Sequence, residues 1–244
     1  MVRLPSLLDP PIGFGHRGAR AHAQENTLDS FSLALRLGAT GLESDVWRTS
    51  DGEVVLDHDG VIRSGVRRRS IADVERRKLP AHIPTLAELY DEVGTDVPLS
   101  LDVKDGAAAD GIVASARAAG GRAVEHLWLC TPTWQEAAAW KERWPDVHVV
   151  DSTRIRRMKE GAERRAATLA DAGVDAVNLH WSDWSGGLTT LFHRFELVAF
   201  GWDCQHRRQL DALLEMGIDG LYSDHVDRMV DALQGRPIRP ETDL

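Results

Sequence analysis

Short apolar runs alternate with amphipathic stretches along this whole 244-residue chain, and no other feature limits its fold so tightly. The runs at Ile12–Gly15, Gly41–Trp47, Pro98–Lys104, His126–Cys130, Val147–Val150, Val174–Leu179, Leu197–Trp202 and Gly220–Tyr222 read as strands. Each is followed by a helical pattern: Thr27–Leu37, Thr85–Val93, Ala107–Ala119, Thr133–Trp144, Arg156–Ala172, Gly186–His193, Arg207–Met216 and Val226–Leu233. In the first of these, Leu28, Phe31, Ala34 and Leu35 recur at helical spacing, Asn26 or Thr27 can cap the start, and Gly38 closes the end. Eight β-then-α units, repeating every ~25–30 residues, predict an α/β protein built as a single (β/α)8 TIM barrel. A doubly wound open sheet is the alternative, and the unit count favours the barrel. One domain is expected over residues 1–244. It carries a short insertion after strand two, an irregular segment at about 59–83.

The composition is that of a soluble globular protein, 43% hydrophobic and 27% charged. A net charge of −9 argues against nucleic acid as a partner but leaves room for a local basic pocket. Cys130 and Cys204 lie in separate apolar runs and read as buried thiols, which fits a reducing compartment. The N-terminal stretch is cut by prolines and has no signal-peptide core, and no run is long enough for a transmembrane segment. A cytoplasmic location is therefore expected. Nothing in the chain fixes an oligomeric state.

The polar residues that interrupt the pattern gather at strand ends, where barrel enzymes place their sites. His16-Arg17 ends strand one. Glu43 and Asp45 lie two apart on strand two, so both side chains leave the same face. Asp102 and Lys104 repeat that spacing on strand three, and Trp202 ends strand seven. Two carboxylates on one strand face repel unless a cation lies between them. The glycines Gly13, Gly15 and Gly18 fit turn geometry better than a phosphate cradle. His22, His82, His126, His148, His193, His206 and His225 read as polar surface, whereas His180 ends a strand. The segment Arg63–Lys78 holds seven basic residues, which form either a solvated loop or an electropositive rim that steers anions.

Gly15-His-Arg-Gly-Ala19, Gln24-Glu-Asn-Thr27, Leu42-Glu-Ser-Asp-Val46, Asp51-Gly52 and His58-Asp59 together resemble the glycerophosphodiester phosphodiesterase family. Weaker similarity continues through Leu101-Asp-Val-Lys104, Gly201-Trp202 and Ser223-Asp224, so it covers nearly the whole chain. The resemblance implies a TIM barrel and a metal-dependent hydrolase that splits a small-molecule glycerophosphodiester into an alcohol and glycerol 3-phosphate. It implies His16 and His58 as the acid–base pair, and Glu43, Asp45 and Asp102 as metal ligands. Arg17 and Lys104 would hold the phosphate, Trp202 would wall the substrate, and Glu25 would lie near metal or substrate. Gln24 stands where the family has proline, and Asp102 where glutamate is common.

An all-oxygen ligand set suits one divalent cation, Mg2+ or Ca2+, with Mn2+ also compatible and zinc disfavoured. Histidine suits proton transfer near neutral pH. Two other readings share these residues. One is a lysophospholipase D-type enzyme, which needs an apolar channel that Trp128, Trp181, Trp184 and Trp202 could line. The other is a barrel that binds an anion without turnover, which has no need of the histidine pair.

Overall fold

The computed structural model describes residues 3–64 and 67–236. Residues 1–2, 65–66 and 237–244, which belong to the expected domain and insertion, lie outside the described residues. The chain order is β1 (Ile12–His16), α1 (Leu28–Arg36), β2 (Gly41–Arg48), β3 (Val54–Leu56), β4 (Val61–Ser64), β5 (Arg67–Ser70), α2 (Leu86–Val93), β6 (Leu99–Val103) and α3 (Ala109–Ala119). It continues with β7 (Leu127–Thr131), α4 (Trp134–Arg143), β8 (His148–Thr153), α5 (Ala162–Asp171), β9 (Ala176–His180), α6 (Gly186–His193), β10 (Val198–Trp202), α7 (Arg207–Glu215), β11 (Gly220–Ser223) and α8 (Val226–Leu233). The parallel strands run β1-β11-β10-β9-β8-β7-β6-β2, and β1 also pairs with β2, so the sheet closes into the expected barrel. The short β3 adds an antiparallel arm to the C-terminal end of β2.

Period-two alternation divides the buried apolar strand residues between two cores. Phe14, Trp128, Cys130, Val150, Ala176, Phe200 and Tyr222 pack inside the barrel. Leu42, Val46, Leu101, Leu129, Val149, Val177 and Leu221 join the larger layer between sheet and helices. The helices start where the sequence supplies caps. Thr27 accepts from the Ser30 amide at 3.2 Å, and Thr85 and Glu88 form a reciprocal capping box. Both cysteines are buried and free.

Two stretches differ from the sequence reading. The described residues after β3 form regular elements: β4 and β5 pair antiparallel, and short 3-10 turns follow at Ile71–Asp73 and Arg76–Lys78. Val55, Ile71, Val74, Leu79 and Ile83 give them a small core of their own. Those residues have no single period, so their shared burial depends on contacts distant in the chain. The helix expected from Arg156 starts instead at Ala162. Gly161 takes φ 90°, and Ile155–Arg157 forms a separate 3-10 turn. Two histidines expected at the surface have partners in the fold. His193 is tied to the fully buried Asp219 at 2.8 Å, and His148 stacks on Trp128 at 4.2 Å.

The face opposite the strand C-termini contributes stability through Asp175. Its carboxylate accepts from the Val149 amide at 2.8 Å and the Lys141 ammonium at 3.0 Å, with His148 Nδ1 at 3.3 Å. Burial alone would raise the proton affinity of Asp175, but these donors outweigh it and hold the group below the usual carboxylate range. A lowered folded pKa stabilises the fold above the ordinary value near ~4, and the gain disappears as pH falls through the folded value. Asp175→Asn is expected to cost about 1–3 kcal/mol at neutral pH. Urea titrations should show the two proteins converging in strong acid. A gap that persists unchanged there would contradict this account.

Candidate active site

The C-terminal mouth of the barrel opens into a cavity of about 450 Å3. Strand register arranges its first residues. His16 of β1 lies abreast of Glu43 of β2, and Asp45 of β2 lies abreast of Asp102 of β6. One histidine and three carboxylates from three adjacent strands thus share one rim. Arg17, Lys104 and Trp202 line the same cavity.

The backbone turns sharply at the end of β1. Arg17 has φ 51°, a left-handed conformation that side chains rarely adopt, and its amide donates to Glu43 at 2.9 Å. Gly18 follows at φ 83°, where a Cβ would lie 2.4 Å from the Ser30 hydroxyl oxygen, so this glycine serves the turn. Asn26, also left-handed at φ 54°, accepts from Ser44 at 2.7 Å and donates to Asp45 at 3.4 Å. The loop from 17 to 26 is thereby pinned to β2.

Charge pairs fill the rim. The Arg17 guanidinium spans Glu25 at 3.1 Å and Asp45 at 3.1 Å. The Asp45 contact is an ion pair without hydrogen-bond alignment, since Nε has no acceptor in line. Lys104 lies between Asp45, at 3.0 Å, and Asp102. Burial opposes the Lys104 charge, but those two carboxylates hold its proton well above the ordinary range. Burial, reinforced by the charge on Asp45, pushes the Glu43 carboxyl up to about 7, against the opposing pull of His16. A buried acid beside like charges is the environment that a hard cation relieves, and the all-oxygen donor set fits Mg2+ or Ca2+. His22, His225 and Asp227 bring ligand atoms within 4.8 Å of one another, outside the expected carboxylate set.

His16 has a partner that the strand pattern did not reveal. Its Nδ1 lies 2.5 Å from Asp224, which directly follows β11, and its Nε2 lies 3.7 Å from Glu43. Burial disfavours the imidazolium, yet Glu43 and the Asp224 bond overcome it and raise the histidine pKa. Arg20 completes the group by bridging Glu25 at 2.5 Å and Asp224 at 3.1 Å. The Ser223-Asp224 pair at the last strand end was the available sequence signal, but its target lies 208 residues away.

Two expected site residues stand outside the cavity lining. Glu25 holds the two arginines from the rim. His58 is 38% exposed on the loop after β3, with Nδ1 2.8 Å from Asp59. The backbone bond from Asp57 to the Asp45 carbonyl, at 3.0 Å, keeps that loop beside β2. Of the four tryptophans offered for an apolar channel, Trp202 lines the cavity, whereas Trp128 and Trp184 are buried in the core. No helix among the described residues is long and apolar enough to cross a membrane.

Comparison with known proteins gives a consistent result. The sequence profile of the Glycerophosphoryl diester phosphodiesterase family matches residues 16–228. A glycerophosphodiester phosphodiesterase of Caldanaerobacter subterraneus is 34% identical over 37% of this chain and 44% of its own. The Bacillus subtilis protein YhdW is 24% identical over 88% of this chain and 95% of its own. Among solved structures, the glycerophosphodiester phosphodiesterase of Thermotoga maritima superposes with a TM-score of 0.78 at 23% identity, covering 91% of this chain and 97% of that one. A phosphodiesterase of Oleispira antarctica, solved with the product sn-glycerol-3-phosphate, gives 0.77 at 19% identity over 92% and 97%. These two structural likenesses establish the shared fold.

Proposed function

Because the chain belongs to the glycerophosphoryl diester phosphodiesterase family, we propose that it hydrolyses glycerophosphodiesters to glycerol 3-phosphate and an alcohol, as one barrel domain over residues 1–244. The observation that carries this reading is the register that sets His16 against Glu43 and Asp45 against Asp102 at one cavity. Glu43, Asp45 and Asp102 would hold a divalent cation, which when bound offsets phosphate charge.

The remaining chemistry belongs to the side chains. Arg17 and Lys104 are cations at the rim, and a phosphate can replace the carboxylates they now contact. The Asp224 bond at Nδ1 orients the His16 ring and leaves Nε2 toward the cavity, so His16 exchanges its proton there. His58, with Nδ1 on Asp59, serves as the second proton-transfer group at the β3 side of the mouth. One histidine takes a proton from the nucleophile, either water or the glycerol's neighbouring hydroxyl. The other protonates the alkoxide as its P–O bond breaks. Trp202 forms the apolar wall. Two buried, unbridged cysteines support work in a reducing compartment such as the cytoplasm.

Metal-stripped protein should be assayed on glycerophosphocholine, glycerophosphoethanolamine and glycerophosphoglycerol, with Mg2+, Ca2+ or Mn2+ restored singly. Release of glycerol 3-phosphate only after a cation is restored is expected. If no cation restores release from any diester, the proposal is wrong.

A further inference from the structure

The cavity has a second wall, opposite the carboxylates, that the proposed reaction does not use. It is built from the end of β8, the turn after it, and β9. Ser152, Arg154, Arg156, Arg157 and Asn178 line it. The turn is braced. Arg154 is held by Asp183 through contacts of 2.6 and 3.1 Å, and the Ile155 amide donates to the same carboxylate at 3.1 Å. Met158, 5% exposed, anchors the turn's far end.

The other cations of the cavity are already neutralised. Arg17, Arg20, Lys104 and Arg154 each contact a carboxylate, and so does His16. The acid on this side, Asp203, is bound by His180 at 3.0 Å and Gln205 at 3.3 Å. Among the described residues, the side chains of Arg156 and Arg157 have no hydrogen-bond or ion-pair partner. Both are exposed and face the cavity. Below them Asn178, 6% exposed, donates to Ser152 at 3.2 Å while its Oδ1 has no partner. Ser152, half-buried, keeps its own hydroxyl proton free to donate into the cavity while Asn178 holds its oxygen in place. Of the two aromatic rings lining the cavity, Tyr222 is buried and stacked on Phe14, and Trp202 has the Arg154 guanidinium 5.7 Å from its centroid, so neither offers a free face to a quaternary ammonium.

We propose that this wall is a subsite for the alcohol portion of the diester, and that it selects an alcohol bearing its own anionic group and hydroxyls. Arg156 and Arg157 bind the anion, while Ser152, positioned by Asn178, takes a hydroxyl. Cationic alcohols such as choline are disfavoured there. The inference rests on the diesterase reading, and it names the substrate class for that site.

Glycerophosphoinositol and glycerophosphoinositol 4-phosphate differ by one phosphate on the leaving alcohol and isolate the effect. The ratio of their kcat/KM values should favour the phosphorylated substrate by roughly tenfold or more in the wild type. In the Arg156→Gln/Arg157→Gln variant it should fall toward one. A wild-type ratio near one, or a ratio unchanged in the variant, overturns the subsite. Calorimetry with inositol 4-phosphate tests it without turnover. The variant should bind at least about tenfold more weakly than the wild type, and equal affinities overturn the proposal. If no diester is hydrolysed at all, the reaction class is wrong, and the calorimetric comparison still decides whether the anion subsite exists.

Discussion

His16→Ala is expected to reduce glycerophosphodiester turnover by roughly 100-fold or more, with little change in fold or cation content. The residue lies on the last position of β1, abreast of Glu43, with one ring nitrogen fixed and the other facing the cavity. Removing the ring takes away proton transfer and leaves the three carboxylates in place. Asp224→Asn should give a smaller loss, mainly in kcat. The amide still reaches Nδ1 but no longer stabilises the imidazolium or fixes its tautomer. A purely structural role for Asp224 would instead lower the unfolding midpoint and leave kcat per folded molecule intact. Steady-state kinetics beside thermal unfolding separates the two. If His16→Ala retains near-normal turnover with cation bound, the proton-transfer assignment fails.

Arg165→Met is expected to destabilise the fold by about 3–5 kcal/mol, the usual cost of stranding a buried charge. Asp151 points from β8 toward α5 and is fully buried, and Arg165 meets it at 2.7 Å. Burial still holds the Asp151 carboxyl above its ordinary range, because Arg165 repays only part of the lost hydration. Its second oxygen has no partner. The pair is therefore costly to break without being a large net source of stability. The double change Asp151→Leu/Arg165→Met should recover much of the loss. A chain of this length would lose roughly 6–20 °C in midpoint for the single variant. A single variant within about 1 kcal/mol of wild type in urea unfolding would refute this account. α5 also anchors the residues after the Arg154–Arg157 turn, so its loosening should reach the cavity's second wall.

Much of this molecule is written locally in its chain. Alternation of period two and period near 3.6 is a property of neighbouring residues, so eight strand–helix units and the barrel could be read directly. The same alternation set Glu43 with Asp45, and placed His16, Asp102, Lys104 and Trp202 at strand ends. Closure of the barrel decided the rest. It joined β1 to β11, and so brought Asp224 to His16 across 208 residues. It set Asp45 of β2 against both Arg17 and Lys104, and left His58 beside the mouth rather than in its lining. It packed residues 71–83 against β3 through a small core of scattered apolar residues. It also turned Ile155–Arg157 out of the expected helix and into the cavity wall. Strand patterning depends on which face each residue occupies, and that is local. Ion pairs and cavity walls depend on which strands become neighbours, and only the closed sheet fixes that.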